Sequence, residues 1–536
     1  MIQVYHNQVD CLHLWGPGSI LLGMNNMDRR RFLVTGAAAA ASLKSLAQPP
    51  VDSAASRAAQ APATSAAAQA VKIELHPDQY GANVPQNFVG VSYETQQLSE
   101  PAFFSPDNHG LIEQFRALSP NGVLRLGGNT SDYGYWKPTP QSKPPKRKKR
   151  PYKIGDPNPN LSYPVTPQAV ENLRGFLDAT GWTCLYGINF GTSTPELAAE
   201  EAAFAAKTLG LKVEYFQVGN EADRFGSTIR DPQTWNANKY FDEWIAFANA
   251  IKAQVPSARF GLPDTAGNPE WYAVVVDRLL QIPGQVRPDI AALTHHYYFG
   301  GPPSNPKVTL DAVLHPDPIV DKLYQDVSAA AARLGKNEHR TVPYRMTEGN
   351  TCYRGGKPGV SDVFGAALWS ADYLLKLASD GYAGVNLHGG EGNMVANSLG
   401  GTLPGEELMP DRKVPHPRPF YTPIADIGKD YVAEPVSYGM RFAGVFAGAR
   451  FVKLDFDPGE INATAYAAKL GDGHTVVAII NKDATRDLTL DQPDWRVEQT
   501  LTAPSLTATS DVRFGPAESP NAKKVPAASA AIFRVA

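Results

Sequence analysis

From about residue 87 to residue 390, short apolar runs alternate with stretches of helical periodicity. Phe88–Tyr93, Gly122–Leu126, Thr183–Asn189, Val213–Val218, Ala258–Leu262, Ile290–Tyr297, Pro343–Thr347 and Gly384–His388 read as eight strands. Between them, Ile319, Val320, Leu323, Val327 and Leu334 fall near one helical face, and Ala198 to Leu209 is rich in Ala and Glu. Eight strands alternating with helices predict an α/β fold of the (β/α)8 barrel type. Past residue 449 the pattern changes. Phe451–Leu454, Thr464–Ala468, Thr475–Ile480, Asp487–Leu490 and Ala530–Val535 read as strands. Turns are marked by Gly471-Asp472-Gly473 and Asn481-Lys482-Asp483. The expected division is a catalytic barrel over 71–448 and a C-terminal all-β domain, a β-sandwich, over 449–536. Val71–Leu75 is expected to lend that domain an extra strand.

The front of the chain reads as an address. Asp28-Arg29-Arg30-Arg31-Phe32-Leu33-Val34 matches a twin-arginine export signal, followed by a weakly apolar Gly36–Ala41 and an A-x-A-like site at Ser45-Leu46-Ala47. The leader is set at 1–47 with its start at Met24 or Met27, and residues 48–70, mostly Ala, Pro, Ser and Gln, form a flexible linker. The expected location is periplasmic or secreted. The 22 Phe, 22 Tyr and 8 Trp among 536 residues suffice for a large core with aromatic-lined clefts. A net charge of −3 excludes a nucleic-acid polyelectrolyte, and no apolar run is long enough for a membrane span. The three cysteines, Cys11, Cys184 and Cys352, fit neither a zinc motif nor a disulfide framework.

A barrel enzyme carries its chemistry where strands end. The fourth strand ends in Gln217-Val218-Gly219-Asn220-Glu221 and the seventh in Arg345-Met346-Thr347-Glu348-Gly349-Asn350. Glutamates on strands four and seven face each other across a barrel mouth. Glycosidic cleavage needs such a pair, one carboxylic acid to protonate the leaving oxygen and one carboxylate to attack the anomeric carbon. A lone Glu at a strand end is more often a solvated loop residue. The Asn-Glu dipeptide strengthens Glu221, because an Asn amide can bind a sugar 2-hydroxyl.

Gln217–Ala222 (QVGNEA), Thr294–Tyr298 (THHYY), Leu124–Asn129 (LRLGGN), Tyr186–Asn189 (YGIN) and Glu434–Met440 (EPVSYGM) together resemble glycoside hydrolase family 79, over roughly residues 71–536. That family holds β-glucuronidases and heparanase and belongs to a retaining clan of (β/α)8 barrels. The resemblance implies Glu221 as acid/base and Glu348 as nucleophile, with Asn220 on the 2-hydroxyl. It implies Tyr297, on one strand face with His295, as the residue orienting the nucleophile. Tyr353 and His388 are implied as sugar contacts, with Glu94, Asn129 and His295 as further substrate-binding candidates.

The loop after strand seven offers Tyr353, the backbone N–H groups of Gly355 and Gly356, and Lys357 as readers of a C5 carboxylate. His295 and His296 could ligate a metal, but the first strand has no His-x-His to complete a site, so no metal and no cofactor is expected. Cys352 reads as a packed wall residue and Cys184 as a buried strand residue. Lys143–Arg150, the densest charge run, is either a solvated insertion or an attractor for an anionic polysaccharide. The expected partner is a carbohydrate, a glucuronide or a uronic-acid-containing glycan, with no nucleic acid and no membrane. The rival readings are the same mechanism on another β-glycoside such as a β-glucoside, a non-catalytic carbohydrate-binding barrel, and a metal-dependent hydrolase.

Overall fold

A computed structural model describes residues 70–153, 158–401, 403, 418–428 and 430–535. The leader and nearly all of the linker lie outside the described residues. Eight parallel strands close a barrel: β1 (Val89–Glu94), β2 (Val123–Gly127), β3 (Thr183–Ile188), β4 (Val213–Val218), β5 (Arg259–Thr265), β6 (Asp289–Gly300), β7 (Tyr344–Cys352) and β8 (Val385–His388). They neighbour one another in sequence order, and β8 returns to pair with β1, Val385 opposite Val89. Each expected strand coincides with one of these. Three run well past the apolar pattern, β5 to Thr265, β6 to Gly300 and β7 to Cys352, and these extensions carry Asp264, Tyr298 and Glu348 into the mouth of the barrel.

Several of the intervening helices start where a side chain can satisfy their first N–H groups. Thr166 and Thr194 each cap a helix that opens with proline, Pro167–Thr180 and Pro195–Leu209. Asp317 does the same for Pro318–Glu338. That helix buries Leu323, Val327 and Leu334 as expected, but Ile319 in its first turn is 57% exposed. Periodicity alone does not register that the first turn overshoots the barrel wall.

The C-terminal domain is a nine-stranded sheet. Its strands are β9 (Arg450–Asp457), β10 (Ala463–Lys469), β11 (Thr475–Asn481), β12 (Leu488–Leu490), β13 (Arg496–Thr502), β14 (Arg513–Pro516), β15 (Lys524–Val525) and β16 (Ser529–Arg534), together with the leading strand Ala70–Asn83. The order is β14-β13-β16-β11-β10-β9-leading strand-β12-β15. Leu488 and Val525 at one end share a buried cluster with Val477, Val497 and Phe533 toward the other, so the sheet doubles over its own core. The leading strand lies antiparallel to β9 with Lys72 opposite Asp457.

Strand β11 shows how the sheet is fixed to the barrel. Val477 and Ile479 enter the domain's own core, while the alternate Val476, Ala478 and Ile480 join the barrel cluster. At this seam Asp372, on the helix Phe364–Ser379, accepts from Thr464 Oγ1 at 2.7 Å and Tyr466 OH at 2.7 Å and pairs with Lys482. No helix among the described residues is long and apolar enough to cross a membrane.

Candidate functional site at the mouth of the barrel

A cleft of about 420 Å³ opens at the C-terminal ends of the strands. Its floor is organised by one arginine. Arg125 sits mid-strand in β2, fully buried. Its Nη1 donates to Glu348 Oε2 at 2.6 Å and Ser92 Oγ at 2.9 Å, its Nη2 to Asn220 Oδ1 and Asp264 Oδ2, both at 2.7 Å, and its Nε to Gln217 Oε1 at 3.0 Å. Every donor of this buried guanidinium is thus used. Removing it strands two buried carboxylates, a change that costs about 3–5 kcal/mol.

Glu348 lies in β7, 6% exposed, and its second oxygen accepts from Tyr298 OH at 2.8 Å. Burial would raise its pKa, but the His388, His296 and Arg125 charges outweigh burial and hold it down at about 2. The strand is bulged there: Met346 stands opposite His295, and Glu348 opposite His296, so two steps on β7 match one on β6. Both Thr347 and Glu348 thereby reach the interior, Thr347 Oγ1 donating to Asp264 at 2.5 Å.

Glu221 follows β4 in a left-handed conformation, φ 46°. Its Oε1 meets His296 Nδ1 at 2.9 Å, and its backbone N–H donates to the carbonyl of Asp264 at 2.9 Å. One oxygen each of Glu221 and Glu348 and one nitrogen of His296 lie within 4.8 Å of one another. Three such groups could hold a metal ion. The other ring nitrogen of His296, Nε2, lies 3.2 Å from Asp264. Burial would lower the His296 pKa, but Asp264, Glu348 and Glu221 raise it to about 10, and an imidazolium beside a guanidinium repels a cation.

The other expected site residues divide into two groups. Asn220, Tyr353, His388, Glu94 and Asn129 line the cleft with both glutamates. Asn220 has its carbonyl oxygen held by Arg125, which leaves its amide N–H groups as donors, and its backbone N–H is anchored to Asp132 Oδ2 at 3.1 Å. His388 Nδ1 is 3.0 Å from Ser92 Oγ, and its Nε2 is 3.6 Å from Glu94. Glu94 accepts from the Thr130 N–H at 2.9 Å and hydroxyl at 2.7 Å.

His295 and Tyr297 are not placed as expected. His295 is 1% exposed and turned outward, its Nε2 against Tyr382 OH at 2.9 Å. Tyr297 borders the cleft, yet its hydroxyl donates to Asp317 at 2.7 Å and its ring stacks on Tyr373. The inward positions are His296 and Tyr298, and Tyr298 makes the bond to Glu348 that was expected of Tyr297. The doublets in Thr-His-His-Tyr-Tyr look the same after a slip of one residue, so the motif carries no signal for which of each pair faces in.

In the loop after β7, Tyr353 and Arg354 reach the cleft, while Gly355, Gly356 and Lys357 do not line it. The Lys357 Nζ donates to the carbonyls of Asn305 and Val308. Cys352 packs as a wall residue, its Sγ donating to Gly301 O at 3.2 Å, with burial pushing the thiol up to about 12.

Arg125, Gln217, Asp264, Tyr298, Asp132 and Tyr421 were not singled out from the sequence. Arg125 alone left a signal, a charge in the middle of an otherwise apolar strand.

No family model matches the chain. Two curated relatives named beta-glucuronidase do. The one from Aspergillus niger is 27% identical over 335 residues, covering 59% of this chain and 60% of the relative. The one from Neurospora crassa is 26% identical over 326 residues, covering 54% of each. The chain therefore spans little more than half the length of these relatives. Among solved structures, a 4-O-alpha-L-rhamnosyl-beta-D-glucuronidase from Fusarium oxysporum superimposes with a TM-score of 0.60 at 16% identity, over 87% of this chain and 99% of that one. A GH51 arabinofuranosidase from Xanthomonas axonopodis pv. citri gives 0.58 at 18% identity, over 87% and 100%. At such identities these structures establish the fold: a barrel with an appended β domain.

Proposed function

We propose that the chain is a retaining β-glycoside hydrolase that cleaves β-linked glucuronic acid by double displacement. The observation that carries this reading is the carboxylate pair, with one oxygen of Glu221 and one of Glu348 within 4.8 Å. That separation is shorter than the roughly 6.5–9.5 Å that an inverting pair keeps for its water. The relatives named beta-glucuronidase support the sugar.

Glu348, held ionised, attacks the anomeric carbon while Glu221 gives its proton to the departing glycosidic oxygen. Glu221, now a base, takes a proton from water, whose oxygen displaces Glu348 and restores both groups. Tyr298 and Arg125 aim Glu348, and Asn220 offers its amide to the 2-hydroxyl. In this reading His388, Glu94 and Asn129 meet the remaining hydroxyls, and Tyr353 with Arg354 meets the C5 carboxylate. The basic run supports a uronic-acid-containing glycan as the extended substrate. Arg150 is tied to the carbonyl of Thr228 at 2.8 Å and Arg147 lies 5.7 Å from the Tyr133 ring centre, and both Thr228 and Tyr133 border the cleft. The Arg29-Arg30 leader supports export to the periplasm or medium; replacing both arginines with lysine is expected to trap precursor in the cytoplasm, as fractionation would read.

The test is a panel of aryl β-glycosides followed by NMR. The aryl β-glucuronide is expected to be preferred over the β-glucoside by at least about a hundredfold, and the first sugar released to be the β-anomer. An initial α-anomer removes Glu348 as nucleophile. Glu348→Gln should abolish turnover with the fold intact. Glu221→Gln should spare good leaving groups more than poor ones, since only the latter need the proton. Tyr353→Phe should cost about one to two decades in kcat/KM on the glucuronide and much less on the glucoside.

A further inference from the structure

We propose that Asp264 is a positioning residue for both glutamates, clamping the two arms of the site without touching either carboxylate. The inference rests on the roles proposed for Glu221 and Glu348.

Asp264 lies near the end of β5, 2% exposed. Four donors converge on its carboxylate. Thr347 Oγ1 and Gln217 Nε2 reach Oδ1 at 2.5 and 2.7 Å; Arg125 Nη2 and His296 Nε2 reach Oδ2 at 2.7 and 3.2 Å. Two of these donors continue outward. Arg125 goes on to Glu348 Oε2, and His296 goes on through Nδ1 to Glu221 Oε1. A third contact is through the backbone, where the Asp264 carbonyl accepts the N–H of Glu221.

Asp264 and Glu221 share an uncommon feature. Both have positive φ, 56° and 46°, and they are joined by that backbone bond. Non-glycine residues adopt this region at a cost, and they hold it where the surroundings over-determine it. Here the carboxylate anchored in the barrel floor fixes Asp264, and Asp264 fixes the turn that carries Glu221. The same carboxylate supplies the negative charge that lets a guanidinium and an imidazolium coexist in the buried floor. The charged or titratable groups facing His296 are Asp264, Glu221, Glu348 and Asp223, with Arg125 and His295 opposing them. Asp264 heads the causes that raise the His296 pKa to about 10.

Asn and Gly both tolerate left-handed backbone, so Asp264→Asn and Asp264→Gly remove the charge while leaving the carbonyl in place, and Asp264→Ala disturbs both. Two measurements separate positioning from mere folding. The first is the ring titration of His296 by NMR in the substrate-free protein, which stands whatever sugar the enzyme cleaves. It should show no titration below about pH 9 in wild type and a midpoint at least about one unit lower in Asp264→Asn or Asp264→Gly. The second is kcat/KM on aryl glycosides of the preferred sugar. Asp264→Asn should lose about a hundredfold on good and poor leaving groups alike, because both arms depend on it, and Asp264→Ala should lose more than Asp264→Gly. An unchanged His296 titration, or a loss confined to poor leaving groups, overturns the proposal. If wild type cleaves no glycoside at all, the functional reading fails, while the titration still decides the clamp.

Discussion

Strand β6 presents two faces of nearly identical composition, and they do opposite things. His295 and His296 are neighbours, each 1% exposed. Burial draws the His295 pKa down to about 4, with its ring between Tyr382 OH and a backbone carbonyl. Turned to the other side, His296 meets Asp264 and Glu221 and rises to about 10. Tyr297 and Tyr298 repeat the contrast, one hydroxyl going to Asp317 on the rim and the other to Glu348. Residue type is equal within each pair, and the two histidines are equally buried. The histidines differ by the carboxylates that the barrel interior gathers, and the tyrosines by which carboxylate each hydroxyl meets.

The contrast can be broken by substitution. His296→Gln should cost the most activity, about two to three decades in kcat/KM, because Glu221 loses a charged partner; His295→Gln should leave kcat/KM within about threefold. Equal losses would mean that the inward charge is irrelevant. Next in size, Tyr298→Phe frees one oxygen of Glu348 and should cost about one to two decades, against less than about threefold for Tyr297→Phe.

A smaller effect sharpens the comparison through stability. The folded pKa of His295 lies below its ordinary 6.5, so the unfolded chain binds the extra proton between about 6.5 and 4. The stability advantage of wild type over His295→Gln should shrink as pH falls through that window. For His296 the folded pKa lies above 6.5, so the advantage over His296→Gln is full below 6.5 and should be lost as pH rises toward about 10. Urea midpoints at stepped pH read both, and slopes of the same sign would refute the assignment. The smallest expected effect is on the acid limb of the rate profile. With Glu348 held near 2, its anionic form is lost only as pH falls through about 2, so kcat/KM should show no Glu348 limb above about pH 3.

The barrel was legible because its eight apolar runs each span a strand whose two faces are covered, and such runs stand out against polar loops. The glutamates were legible because a strand end is a position that the pattern itself marks. What escaped lies where pattern is silent. Tyr298 and His296 were missed because doublets hide the facing direction. Asp264 follows a strand read as ending at Leu262, and its importance comes from a left-handed turn and four converging donors, none of which has a spacing signature. Arg125 was quoted within a motif but not weighed as a member of the site, although a lone charge inside Val123–Gly127 must find anions when buried.

The strand Ala70–Asn83 has a consequence for how the chain comes to be folded. It is made before the barrel, and its antiparallel partner Arg450–Asp457 is made after it. During synthesis the early strand waits with an open edge while the entire barrel emerges, and the sheet zips together only when the last segments arrive. The barrel is in this sense a long insertion between two adjacent strands of one sheet. Completion of the sheet is therefore a late, long-range event, and a nascent chain stopped anywhere short of β9 leaves the early strand without its antiparallel partner.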